Sequence, residues 1–136
     1  MAMALIGSAW PSHSACIDGH PSVVQEYNKS YLIFIGEVIS EKETEESGDY
    51  YDGTTYTLRI IELIKGTKRQ FVDIFSENSS ARFPMKIGNK YILLVYESDG
   101  RIEVDNCGNS GKLPQQDGVL KTLRELKEIE QGKGKE

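Results

Sequence analysis

Three glycine-bounded runs constrain this chain more than anything else in it: Tyr31-Leu-Ile-Phe-Ile-Gly-Glu-Val-Ile39, Ile61-Glu-Leu-Ile-Lys-Gly66 and Lys86-Ile-Gly-Asn-Lys-Tyr-Ile-Leu-Leu-Val-Tyr96. β-Branched and aromatic side chains fit a pleated surface, so a mainly β fold is expected. The 136 residues suffice for one domain with a real core. A first strand is read over 31–41, with Leu32, Phe34 and Val38 on a core side. Ile33, Ile35 and Ile39 blur that alternation, which implies cover on both faces. A second strand over 54–64 alternates at Tyr56, Leu58 and Ile60, then slips phase at Ile61 and Leu63, the mark of a bulge. Further strands are read over 70–76, 90–97 and 101–105, the last two joined by a tight Ser98-Asp99-Gly100 turn. Pro21 suits the first turn of a short helix over 22–28. A second helix is read over 115–131, with Val119, Leu120, Leu123, Leu126 and Ile129 on one face and Gly132 ending it.

Sixteen Lys and Arg against 21 Asp and Glu give a net charge of -5. Affinity for a phosphate backbone is built from clustered cations, so no nucleic-acid partner is expected. Lys65, Lys68 and Arg69 make one small basic turn, and Lys133 and Lys135 lie in the tail. No run reaches the ~18 apolar residues of a membrane span. His13, Cys16, Asp18 and His20 have spacing able to chelate zinc or copper. The two histidines flank an end expected to be mobile and Cys16 has a competing use as half of a disulfide, so neither a metal nor any other cofactor is assigned. Both histidines fall in that N-terminal stretch, and neither a Gly-x-Ser-x-Gly elbow nor a phosphate-cradling glycine loop is present, so no enzymatic activity is expected. The segment 41–53 carries six carboxylates and one lysine. It lacks the alternating ligands and fixed glycine of a calcium loop and reads as a solvated hairpin tip.

The succession "FIGEVI", "ELIKG" and "IGNKYILLVY", followed by the lone cysteine of Asp105-Asn106-Cys107-Gly108, resembles the netrin/tissue-inhibitor-of-metalloproteinases (NTR/TIMP-like) family over residues 14–126. That resemblance implies a five-stranded OB-type β-barrel with a short N-terminal helix and a C-terminal amphipathic helix. The two cysteines, Cys16 and Cys107, lie in no CxxC pattern, and taken alone they allow two free thiols or one bridge. The resemblance implies the bridge. Ser14-Ala15-Cys16 reads as the family's Cys-x-Cys with its first cysteine replaced by serine, and the segment 78–82, where that cysteine's partner belongs, has none either. Such a bridge contributes about 4 to 5 kcal/mol on the chain-entropy model and implies an oxidising compartment. The stretch from Ala2 to Trp10 lacks a basic n-region and is too short for an h-region, so an extracytoplasmic protein whose leader has been removed is expected. The implied organisation is a disordered or signal-remnant segment over 1–15, one domain over 16–131 and a disordered tail over 132–136.

In the animal inhibitors of this family, the α-amine and carbonyl of an N-terminal cysteine chelate the protease zinc. Here Ser14 holds that position behind 13 residues, and an acylated nitrogen is no ligand. Metalloproteinase inhibition is therefore the weaker alternative, and an OB-fold nucleic-acid binder is disfavoured by charge. The expected function is that of an exported, monomeric, non-enzymatic binding module for a protein or glycan. Its candidate residues lie in loops at one barrel end: Glu45, Glu46, Asp49, Tyr50, Tyr51, Asp52, and Arg82 in the loop 77–84. Tyr56, Tyr91 and Tyr96 are candidates for the same surface or for half-buried packing.

Overall fold

A computed structural model describes residues 19–47 and 50–134, with side chains described for 19–44 and 52–132. Helix α1 spans Val23–Lys29. The Ser22 hydroxyl accepts from Gln25 N at 3.1 Å, and Gln25 Oε1 accepts from Ser22 N at 2.9 Å. This reciprocal cap satisfies two backbone donors that a helix start leaves open and sets the boundary one residue after the cap, leaving Pro21 outside. The strands are β1 Leu32–Ser47, β2 Tyr50–Lys65, β3 Phe71–Glu77, β4 Lys90–Ser98, β5 Arg101–Val104 and β6 Gly111–Lys112, and α2 runs Asp117–Gly134.

The sheet runs β1-β2-β3-β5-β4-β6, and β1 also pairs with β4, so five strands close into an uneven ring. The joints are unequal. β1 and β4 pair from Leu32↔Val95 to Glu37↔Lys90, whereas β3 and β5 meet, in parallel, only at Phe75↔Glu103. The phase slip in β2 is real: pairing jumps from Ile35↔Glu62 to Gly36↔Ile60, leaving Ile61 unpaired and exposed, and Ile64 and Ile39 are skipped in the same way.

The acidic segment differs from its expected form. Rather than a loop from residue 41 onward, it is paired strand, with Glu41↔Tyr56, Lys42↔Thr55 and Glu43↔Thr54 in register. Backbone pairing needs no apolar side chains, so a charged run extends as a ribbon once the apolar roots of both strands are fixed. The short β6 was not anticipated either; two residues carry no period to read.

Two cores explain the doubled apolar pattern of β1. Leu32, Phe34 and Val38 point into the ring with Tyr56, Leu58, Val72, Ile74, Met85, Tyr91, Leu93, Val95 and Val104. Ile33 and Ile35 point outward, where Ile64, Ile92 and Leu94 meet Tyr27 of α1 and Leu120 and Leu123 of α2. The buried α2 face is shorter than its sequence pattern: Ile129 is 57% exposed. The helix also runs through Gly132, a residue that costs about 1 kcal/mol relative to alanine and is tolerated in a helix already nucleated by packing.

Polar tethers fix α2 in place. Arg124 clasps Glu62 of β2 with Nη2 at 2.6 Å and Nε at 3.1 Å, and Lys127 donates to Leu63 O at 2.9 Å. The Arg124 hydrogen bond, opposed by burial, holds the Glu62 carboxyl below its ordinary range. A carboxylate with a lowered folded pKa contributes stability that is present at neutral pH and lost as the pH falls through that lowered value. Arg124→Ala is thus expected to flatten the acid limb of the stability curve while leaving its shape above neutrality unchanged, a comparison urea titrations at a series of pH values make directly.

Candidate functional site

The loops expected at one end of the ring do converge there. Asn78 N donates to Asp52 O at 2.9 Å, and Arg82 Nη1 donates to Asn78 Oδ1 at 3.3 Å, so Asp52 and Arg82 belong to one hydrogen-bonded rim. Asn106 Nδ2 donates to Ser80 O at 2.9 Å, tying the segment after β5 to the same loop. The other candidates fall where less is described. Glu45, Tyr50 and Tyr51 lie on paired backbone and Glu46 at a skip in the register, all without described side chains, and Asp49 lies outside the described residues. Of the tyrosines with described side chains, Tyr56 and Tyr91 are core residues, which settles their role as packing.

Below this rim, a cleft of about 480 Å³ opens between the β1–β2 ribbon, β3 and the start of β5. Thr44, Thr55, Arg69, Asp73, Phe75 and Arg101 line it. The register places Thr55 beside Phe75 and Thr57 beside Asp73, so these side chains share the outer face of the ring. Gly53 makes the Phe75 position possible: a Cβ there would lie 2.6 Å from the ring's Cζ and 2.4 Å from Ser76 O. The Arg101 guanidinium stacks over Phe75 at 4.2 Å from its centroid and reaches Asp52 at 3.6 Å. Its aim is set by the β4–β5 turn, where Asp99 and Gly100 both take positive φ, 52° and 82°, as a type I′ hairpin requires. The Asp73 carboxylate accepts from the Thr57 hydroxyl at 2.7 Å.

The three cations of the supposed basic turn separate. Lys65 donates to Tyr27 O at 2.6 Å and lies 5.1 Å from the Tyr27 ring centroid, so it secures α1 to β2. Lys68 is exposed, and Arg69 turns alone into the cleft. Arg69, Phe75 and Arg101 escape sequence reasoning because Arg101 comes from β5, some way along the chain from the β2–β3 connection and β3 that carry the other two. The only local signal, the basic turn, mixes a tether with a cleft residue.

Glu26 was also missed. It is 0% exposed, with Oε2 accepting from Tyr96 Oη at 2.7 Å and Oε1 accepting from Asn109 N at 2.7 Å and Asn109 Nδ2 at 3.0 Å. Burial and this carboxylate push the Tyr96 phenol well above its ordinary value, so Tyr96 keeps its proton and donates throughout the neutral range. The Tyr27 phenol, buried and donating to Glu130, is pushed up to about 12. Tyr96 thereby joins β4 to α1, and Tyr27 joins α1 to α2.

A second cleft of about 460 Å³ is lined by His20, Gln25, Lys29, Tyr96 and Asp105. Among the described residues, no group of three or more His, Cys, Asp or Glu is placed to hold a metal ion. His13, Cys16 and Asp18 lie outside them. Cys107 is buried, its N–H donating to Asp105 Oδ1 at 2.8 Å, and its expected partner Cys16 lies outside the described residues. Among the described residues, no helix is long and apolar enough to cross a membrane. No protein-family model matches the chain, and no curated protein matches it.

Proposed function

We propose that this chain is an exported, non-enzymatic binding module of the OB-type barrel class, similar to NTR/TIMP-like domains, with its working surface where the β1–β2 ribbon meets the β4–β5 turn. The observation that carries this reading is the cleft at that junction, which gathers Arg69, Asp73 and Arg101 on the outer face of three strands. The strand order supports the fold class: β1 pairs with both β2 and β4, while β3 and β5 run parallel. Binding residues on such scaffolds concentrate on this face and its flanking loops. The partner class is a protein or a glycan, met by a single copy of the chain.

Export carries its own test, since the reading includes a Cys16 to Cys107 bridge. Thiol titration of unfolded, unreduced protein is expected to find no free thiol. Two thiols per chain would remove the argument for an oxidising compartment. In parallel, a zinc protease is expected to keep full activity in the presence of this chain. Sub-micromolar inhibition, unaltered by acetylating the N-terminus, would replace the proposed surface with a different one.

A further inference from the structure

The cleft lies beside an incomplete sheet edge. Ile60 N donates to Gln70 O at 2.9 Å, and the register pairs Arg59↔Phe71, Thr57↔Asp73 and Thr55↔Phe75. In an antiparallel ladder, alternate residues turn both backbone groups toward the same neighbour. Gln70 and the even-numbered residues of β3 therefore bond to β2, and Phe71, Asp73 and Phe75 direct their N–H and C=O groups toward the β5 side. On that side, β5 takes up the edge at Phe75 alone. Among the described residues no strand pairs with Phe71 or Asp73 on that side, and the cleft opens beside Asp73.

The charges of the cleft are unequally satisfied. Arg101 has Asp52 and the Phe75 face, and Asp73 has the Thr57 hydroxyl. Arg69 is half-buried, and among the described residues it makes no hydrogen bond or ion pair. A guanidinium held in a cleft without a carboxylate suits an incoming one, bound through two parallel N–H donors. Phe71, on the same outer face as Asp73 and Phe75, is 45% exposed. It offers an aromatic surface one side-chain repeat away.

We infer that the β3 edge takes up an extended peptide as an added strand, with one Asp or Glu side chain of that peptide on Arg69 and an apolar side chain two residues away on Phe71. Main-chain hydrogen bonds to Phe71 and Asp73 supply affinity, and the alternate side chains supply selection. A polyacidic ligand is disfavoured, because Asp73 and Asp52 already occupy the same rim. This inference rests on the binding-module reading and names its partner.

The experiment uses the full chain and a fluorescein-labelled acetyl-Val-Thr-Glu-Thr-Val amide, with polarisation as the readout. Replacing the peptide's Glu by Gln, or changing Arg69→Gln in the protein, is expected to weaken binding about tenfold, the loss of one charge-assisted contact. N-methylation of alternate peptide nitrogens is expected to abolish binding for one alternating set and spare the other, a signature no side-chain contact reproduces. An unfolding midpoint unchanged by Arg69→Gln shows that the variant is folded. Absence of binding by the peptide overturns the inference, as does binding indifferent to Arg69→Gln and to N-methylation. Arg69-dependent binding of a uronate oligosaccharide, with no binding of the peptide, also overturns it while leaving the binding-module reading intact. Failure of that reading registers separately, in the thiol titration.

Discussion

Replacing Glu26 by alanine is expected to cost the fold about 2 to 3 kcal/mol, because it strips a fully buried acceptor from three part-buried donors; each unsatisfied buried group costs about 1 to 3 kcal/mol. The donors are Tyr96 Oη, Asn109 N and Asn109 Nδ2. Glu26→Gln is expected to cost far less, about 1 kcal/mol. Its carbonyl oxygen can still accept from both Asn109 donors, and its amide can donate to a Tyr96 hydroxyl that turns round. Gly108 gives the sharper test. A Cβ at Gly108 would lie 2.2 Å from Glu26 Oε2, and that oxygen cannot retreat while Tyr96 and Asn109 hold the carboxylate. Gly108→Ala should therefore be strongly destabilising with Glu26 in place and much milder beside Glu26→Ala, where the methyl enters vacated space. Urea midpoints for the two singles and the double variant close the cycle. Strictly additive effects would mean that Glu26 is packed against the loop without being locked to it.

Deleting α2 from Asp117 onward is the second large effect. Leu120 and Leu123 are buried against Ile33, Ile35, Ile64, Ile92 and Leu94, so truncation uncovers the outer face of β1 and β4 together. Each buried leucine contributes about 1.5 to 3 kcal/mol, which puts the loss from these two at about 3 to 6 kcal/mol before the bared isoleucines are considered. Leu123→Ala alone is expected to cost about 2 to 5 kcal/mol, with the cavity adding to the transfer cost. Ile129→Ala, on the exposed last turns, is expected to change the midpoint very little. Thermal melts of the three variants check the order, and a truncated chain that melts like the full one would mean that α2 adds no cover.

The strands were readable because their burial is periodic, and the misreadings share one cause. Period and composition report what a segment buries, not what its backbone bonds to. Ile33 and Ile35 broke the alternation of β1 and so correctly announced a second core, and Ile61 announced its bulge. Glu41, Lys42 and Glu43 are exposed and carry no apolar period, so the acidic run reads as loop, yet its backbone is paired to β2. Ile129 continues the helical stripe in sequence but is exposed in the fold. Asp52 and Arg82 of the rim are legible from the turn residues near them in sequence, although Asp52 itself lies in β2. Arg69 and Arg101 are not, because strand order rather than spacing brings them together. Glu26 had no signal at all: a glutamate in the first turn of a helix looks solvated until the Asn109 loop closes over it.

The strand β4 is walled on both faces, with Leu93 and Val95 inside the ring and Ile92 and Leu94 beneath the helices. During synthesis, the β1-β2-β3 meander is made before β4 leaves the ribosome, and β1 must wait with both of its apolar faces uncovered. Domains emerging at about 5 to 20 residues per second leave such surface open to neighbouring nascent chains for seconds. The charged run that extends β1 past Ser40 lies beyond the stretch that β4 covers, Leu32 to Glu37. Glu41, Lys42 and Glu43 thus put charge on a strand edge that β4 leaves open, which discourages pairing with a strand of another chain.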